Sequence, residues 1–224
     1  MRTRRTTAAA TALTAAVALL LSGCGGSGAA DAKDTKDGDR IAGADAGTET
    51  GSATPSASAA DDGIERPEIK LPSDVRNVFE GGATGDAKKD AVLADNERRI
   101  NSIDEAITVD AKKYPALQFY SKGDALMSAA SYIKSFRDEA RSFTGTTRYY
   151  DREVTFLKDG AASVTYCMDA TQTYPKDRGT GKVDRSVKAS PSDYVFYSTR
   201  LEKNSEGVWQ TATVSSTEAA EQCM

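Results

Sequence analysis

No phenylalanine, tyrosine or tryptophan precedes Phe79 in this 224-residue chain. A segment without aromatic side chains, and with few other large apolar ones, cannot bury enough surface to offset the entropy of ordering it. The part that folds must therefore be built from roughly the last 150 residues, an ordinary size for one domain. Gly25 to Gly63 is dominated by Gly, Ala, Asp, Ser and Thr, with Ile41 its one large aliphatic residue before the end. It reads as a disordered linker. Asp31, Asp34, Asp37 and Asp39 do not make a calcium loop, because Gly38 cannot occupy the sixth position that such a loop needs. Pro67 and Pro72 push their predecessors out of the helical region, so the stretch from Arg66 to Pro72 reads as extended. Leu71, Val75, Val78 and Phe79 are the first apolar residues dense enough to dock. The predicted organisation is a leader over 1–23, a tether over 24–70 and one domain over 71–224.

Within that domain, Thr84 is the expected N-cap and the run from Asp86 to about Lys112 lacks proline and glycine. Val92, Asn96, Ile100, Ile103 and Ile107 follow helical spacing, with Asn96 as the polar interruption; Asp95, Arg98 and Glu105 are expected mostly away from that stripe. Pro115 is expected to end the run. Leu126, Ala129, Ile133, Phe136 and Ala140 form the stripe of a second helix, with Ser121 as cap and Asp124 in its first turn. Gly145 is placed beyond its end. Thr147 to Leu157 is rich in β-branched and aromatic residues, and Asp159-Gly160 signals a hairpin. Ala162, Val164, Tyr166 and Met168 alternate with polar residues at strand period. Lys182 to Val187 is predicted as a short strand. Asp193 to Glu202 and Val208 to Ser215 are predicted strands around a turn at Asn204–Gly207. The order predicts an α+β domain: two N-terminal helices packed on an antiparallel sheet of four to five strands.

The chain's beginning is a different kind of segment. Arg2, Arg4 and Arg5 precede an apolar run from Ala8 to Leu21, which is shorter than the roughly 20 residues a spanning helix requires. Basic start, short apolar middle and small residues at the end make a signal peptide. Leu21-Ser22-Gly23-Cys24 resembles the lipobox of bacterial lipoproteins. The resemblance implies cleavage between Gly23 and Cys24 and acylation of the Cys24 thiol. Two long acyl chains, at about 0.8 kcal/mol per buried methylene, would hold the protein in a bilayer. Thr6, Thr7 and Ala8 follow Arg4-Arg5, which favours the general secretory route over twin-arginine export. The tether's mean reach would be near ~40 Å, and the expected location is the outer face of the cytoplasmic membrane.

With Cys24 acylated, Cys167 and Cys223 remain, and an exported domain with one cysteine pair invites a disulfide. Free thiols, a redox pair and a zinc site completed by carboxylates are the alternatives. C-x-x-C spacing is absent and no histidine occurs in the chain, which weighs against the last two. The missing histidine also excludes a Ser-His-Asp triad and a Cys-His pair. After the leader the chain holds 26 basic and 33 acidic residues and carries −7. That balance argues against nucleic acid as a partner, since phosphate binding needs a basic footprint. Gly179-Thr180-Gly181-Lys182 lacks P-loop spacing, and no cofactor motif is present. The adjacent acids Asp104-Glu105 and Asp138-Glu139 point apart on a helix and do not form a catalytic carboxylate pair.

The stretches "FTGTTRYYDREVTFLKDGAASVTYCMD" and "GVWQTATVSSTEAAEQC", in this order of elements, resemble the NTF2-like, cone-shaped α+β domains. They are similar in particular to those that small lipoproteins of high-GC Gram-positive bacteria carry behind a lipobox and tether. The resemblance implies a pocket between sheet and helices in some members, and Tyr149, Tyr150, Asp151, Tyr166 and Asp169 are the candidate pocket residues. Some such domains isomerise steroids with an Asp base and a Tyr/Asp oxyanion hole. The same residue types equally suit a half-exposed sheet. Three readings follow: a membrane-anchored, non-catalytic binding or interaction module; a pocket protein for a small apolar or envelope-derived ligand; and an isomerase or dehydratase. The expected partners are the lipid bilayer through Cys24 and an envelope protein or small ligand.

Overall fold

The computed structural model describes residues 62–111 and 113–224; the leader, Cys24 and most of the tether lie outside the described residues. The first strand, β1 (Val75–Phe79), is followed by three helices, α1 (Ala87–Thr108), α2 (Pro115–Tyr120) and α3 (Gly123–Asp138). Four strands complete the domain: β2 (Arg141–Phe156), β3 (Ala162–Asp177), β4 (Tyr194–Lys203) and β5 (Trp209–Glu218). The five strands form one sheet in chain order. β2 to β5 pair antiparallel, whereas β1 runs parallel to β2, with Val75 opposite Gly145. The architecture is α+β as expected, but the sheet is mixed and a strand precedes the helices. β1 went unread because five residues bordered by Glu80 and Gly81 are too short to display alternation.

α1 is capped by Asp86 rather than Thr84. The Asp86 carboxylate accepts from the backbone N–H groups of Lys88 and Lys89, while the Thr84 hydroxyl donates to Asp90 at 2.7 Å. The predicted stripe is buried apart from the half-buried Ile103, with Val92, Asn96 and Ile107 fully so. Asp95, placed away from the stripe by its spacing, is buried as well and accepts the backbone N–H of Trp209. Pro115 does not merely end α1. It opens α2, where its fixed φ and missing N–H suit the first turn. Ser121 is not the cap of α3; Lys122 holds that position without a side-chain bond, and Ser121 pairs with Thr211 instead. Ala129 and Ile133 bury the face of α3, but Ala140 lies beyond its end with φ of 49°.

The β2–β3 hairpin is longer than its apolar alternation. β2 begins at Arg141, so Gly145 lies inside it, and β3 runs on through Thr171 to Asp177. These distal residues are mostly polar, with Phe143, Tyr174 and Pro175 the exceptions, and carry no apolar alternation. Between Lys182 and Val187 there is no strand; Val183 makes an isolated bridge to Lys176. Packing also starts earlier than Leu71. Ile64 and Ile69 lie against a buried cluster of Ala116, Tyr120 and Val208, and Arg66 pairs with Asp95.

α1 packs on β2, β3 and β5, and α3 packs on β2 and β5. β2 and β5 are separated by two strands, so one helix can touch both only if the sheet curls around it. The core fills one part of this concavity with Val92, Leu93, Ile100, Val164, Leu201 and Trp209. The remainder is not filled.

Candidate ligand-binding cavity

A cavity of ≈ 530 Å³ lies between the curled sheet and the helices α1 and α3. Its lining follows from strand and helix periods. β3 contributes Tyr166, Met168 and Ala170, and β4 contributes Val195 and Tyr197. Each set steps by two and so shares the concave face. β2 adds Tyr149. From α1 come Arg99, Ile100, Ile103 and Asp104, and from α3 Ala129 and Tyr132. Tyr166 and Tyr197 stack with ring centroids 5.0 Å apart, and Tyr149 meets Tyr166 edge-on at 6.0 Å. Tyr132 stands at the mouth, 54% exposed.

Of the residues singled out from sequence, Tyr149 and Tyr166 line this cavity; Tyr150, Asp151 and Asp169 do not. Tyr150 faces the other side of the sheet, where its hydroxyl donates to the Cys223 carbonyl. Asp151 is exposed at a register shift of β2 with φ of 49°. Asp169 pairs with Arg148 at 3.2 Å and accepts the backbone N–H of Thr171. The period of two explains the division: Tyr149 and Tyr150 are neighbours and must point to opposite faces. Cys167 and Cys223 are joined by a disulfide, Cα atoms 5.4 Å apart, on the convex face. Ala220, Tyr150, Tyr194 and Phe196 pack around it, and the bridge fixes the chain's end to the sheet.

Two buried charged residues line the cavity: Arg99, which sequence spacing did not single out, and Asp104, which the sequence offered only as half of an adjacent acidic pair and set aside. Arg99 is only 5% exposed. Among the described residues its Nε has no hydrogen-bond partner, and no carboxylate forms an ion pair with it. Burial pulls its guanidinium below the ordinary value, opposed by the nearby Tyr166 and Tyr197 hydroxyls. Asp104 is also buried, and its carboxylate accepts from the Asn77 amide at 2.6 Å. Burial pushes its pKa up to about 7, against the lowering effect of that hydrogen bond. Burial likewise raises Tyr149, Tyr166 and Tyr197, so all three are neutral phenols near pH 7. Their hydroxyls make no hydrogen bond among the described residues and remain open to the cavity. A signal for Arg99 was present: Val92, Asn96, Arg99 and Ile103 step by four and three, so the arginine interrupts an apolar stripe.

The arrangement can hold a ligand. The volume falls within the range of small-molecule sites, and the walls are aromatic and apolar with a few convergent polar groups. It shows no metal site: among the described residues no cluster of three or more acidic or cysteine ligands occurs. The described residues also contain no helix long and apolar enough to cross a membrane.

No family model matches the chain, and no curated protein matches it. Among solved structures it is similar to the intermembrane space region of the chloroplast protein ARC6, at 13% identity and a TM-score of 0.42, over 61% of this chain and 99% of that one. It is similar to a ketosteroid isomerase-like protein from Erwinia carotovora atroseptica, at 17% identity and 0.38, over 58% and 95%. A structure from Catenulispora acidiphila gives 12% identity and 0.40, over 59% and 91%. Likeness at this level transfers no function to this chain.

Proposed function

We propose that this chain is an exported lipoprotein, anchored through acylated Cys24 on the outer face of the cytoplasmic membrane, whose NTF2-like domain binds a small ligand. The observation that carries the binding reading is the cavity of ≈ 530 Å³ between sheet and helices, lined by Arg99, Asp104 and tyrosines whose hydroxyls have no partner among the described residues. A module that acted only through its outer surface would gain more stability by filling such a space than by leaving polar groups in it. The leader, the lipobox-like Leu21 to Cys24 and the aromatic-free tether support the anchor. Native mass spectrometry of the mature chain purified in detergent tests binding, with a retained small molecule of defined mass as the expected result. A chain that carries nothing, and that no member of a small-molecule library stabilises against heat, overturns it. Replacing Cys24 with Ala should move the protein from the membrane to the soluble fraction. Retention on the membrane would make the uncleaved apolar run the anchor.

A second reading, proton transfer, is favoured by Asp104, a buried carboxyl whose pKa of about 7 suits acid–base exchange at neutral pH. It predicts deuterium exchange at the α-carbon of a ketone probe that binds the cavity, lost in Asp104→Asn. Binding without exchange leaves the ligand-binding reading alone.

A further inference from the structure

We infer that Arg99 is the anchor for a carboxylate, and that the ligand of the cavity is a small organic acid with a flat or apolar body lying along Tyr149, Tyr166 and Tyr197. The inference rests on the ligand-binding reading and adds the ligand's charge. Its starting point is a contrast among the buried and half-buried arginines. Arg152 pairs with Glu97 at 2.6 Å and lies over the Phe79 ring. Arg66 and Arg98 share Asp95, at 3.5 and 2.9 Å. Arg99 sits one residue from Arg98, is as deeply buried as the best paired of these, and has no carboxylate.

An arginine cannot relieve this by losing its proton, so the buried charge persists. An uncompensated buried cation is costly, and such groups are ordinarily matched by an anion. The acid that could have matched it does not. Asp104 lines the same cavity but bonds to Asn77 on β1 and forms no ion pair with Arg99. Asp193 and Glu218, also on the cavity wall, form none with it either. Tyr166 and Tyr197, neutral hydroxyls able to donate, line the same cavity and act electrostatically on the guanidinium. A fixed cation with phenolic donors beside it selects an acceptor-only, negatively charged group, and the guanidinium fork matches the two oxygens of a carboxylate. The stacked tyrosines with Met168, Val195 and Ile103 form an apolar and aromatic wall that suits a flat or apolar body for the rest of the molecule, although Asp104, Asp193 and Glu218 also line the cavity.

The test compares 2-naphthoate with 2-naphthamide, equal in shape and differing in charge, by calorimetric titration of the mature chain at pH 6. The expected result is that the carboxylate binds at least tenfold more tightly than the amide. Arg99→Met, which keeps the apolar stem, should abolish that preference while leaving amide affinity within about threefold. Equal affinity of the two probes for the unaltered chain overturns the carboxylate anchor and leaves the cavity reading standing. Binding of neither probe overturns both. Should Arg99→Met fail to fold, the ratio measured on the unaltered chain still decides, and the acid or neutral character of any co-purified molecule decides independently.

Discussion

Asp95 Oδ2 accepts the backbone N–H of Trp209 at 2.9 Å, joining the middle of α1 to the first residue of the last strand across 114 positions of sequence. The other oxygen, Oδ1, pairs with Arg98 at 2.9 Å and Arg66 at 3.5 Å. One carboxylate, 2% exposed, thus holds a helix, a strand and the extended segment that leads into the domain.

Asp95→Ala should therefore destabilise the domain by about 3 kcal/mol, because it leaves a buried N–H without an acceptor and Arg98 without its anion, while Arg66 keeps its pair with Asp62. Asp95→Asn keeps an acceptor for Trp209 and should lose less. Urea midpoints measure both. A loss below about 0.5 kcal/mol for the alanine variant would show that solvent replaces these contacts.

Two small residues near the helix–sheet junction should respond in opposite directions. Ala140 follows the end of α3 with φ of 49°, a conformation that costs an L-residue roughly 1–2 kcal/mol. Ala140→Gly should raise stability by about 0.5–1 kcal/mol, the glycine's extra unfolded-state entropy offsetting part of the relief. Gly145 has φ of 115°, and a Cβ there would lie 2.1 Å from the Gln172 carbonyl oxygen. Its N–H also donates to the Asp74 carbonyl at 2.8 Å, beside the parallel pairing with β1. Gly145→Ala should cost roughly 3 kcal/mol or more, with amide exchange rising first in Val75–Phe79. Thermal and urea unfolding of the two variants check both signs, and a neutral effect at either position would contradict its left-handed backbone conformation.

The disulfide joins residues 56 apart in sequence. Loop closure of that length is worth roughly 4 kcal/mol in the chain-entropy account. Replacing Cys167 and Cys223 together by Ser should lower stability by about 2–4 kcal/mol and free the segment after Glu218 for proteolysis. Alkylation of the unreduced chain should leave both residues unlabelled. Two added labels would refute the bridge.

What was legible in the sequence was whatever followed a period. The Val92–Ile107 stripe, the Asp159-Gly160 hairpin and the Tyr166–Met168 alternation read directly because burial on one face imposes that pattern. β1 was too short to leave one, and in the distal hairpin Phe143 and Tyr174 are too few among polar residues to do so. The cavity was harder for a further reason. Tyr149 and Tyr166 could be proposed from a resemblance, but Tyr150 and Asp151 beside them fall to the other face and to an irregularity of β2. Arg99 and Asp104 belonged to a helix read as core, where a polar residue counts as an interruption. Their role depends on which partners are absent in three dimensions, and spacing carries no information on that.

Asp104 gives the domain a pH signature of the less common sign. Its pKa rises from an ordinary 3.8 to about 7 through burial, so the folded state holds its proton more tightly than the unfolded chain does. Below pH 3.8 both states are protonated and the residue contributes nothing. Between about 4 and 7 the unfolded state ionises and the folded state does not, so stability falls as pH rises. Above about 7 the loss is complete, on the order of 4 kcal/mol. The carboxylates Asp74, Asp90 and Glu202, nearer the surface, are shifted down by their partners and give the opposite slope, so the total profile mixes both. The difference between variant and parent isolates Asp104. Asp104→Asn, uncharged and able to accept from Asn77, should match the parent near pH 4 and exceed its stability by several kcal/mol at about pH 8. Urea unfolding at half-unit pH intervals reads that difference directly. A difference that stays constant across the range would mean that the cavity solvates the carboxylate as well as water does.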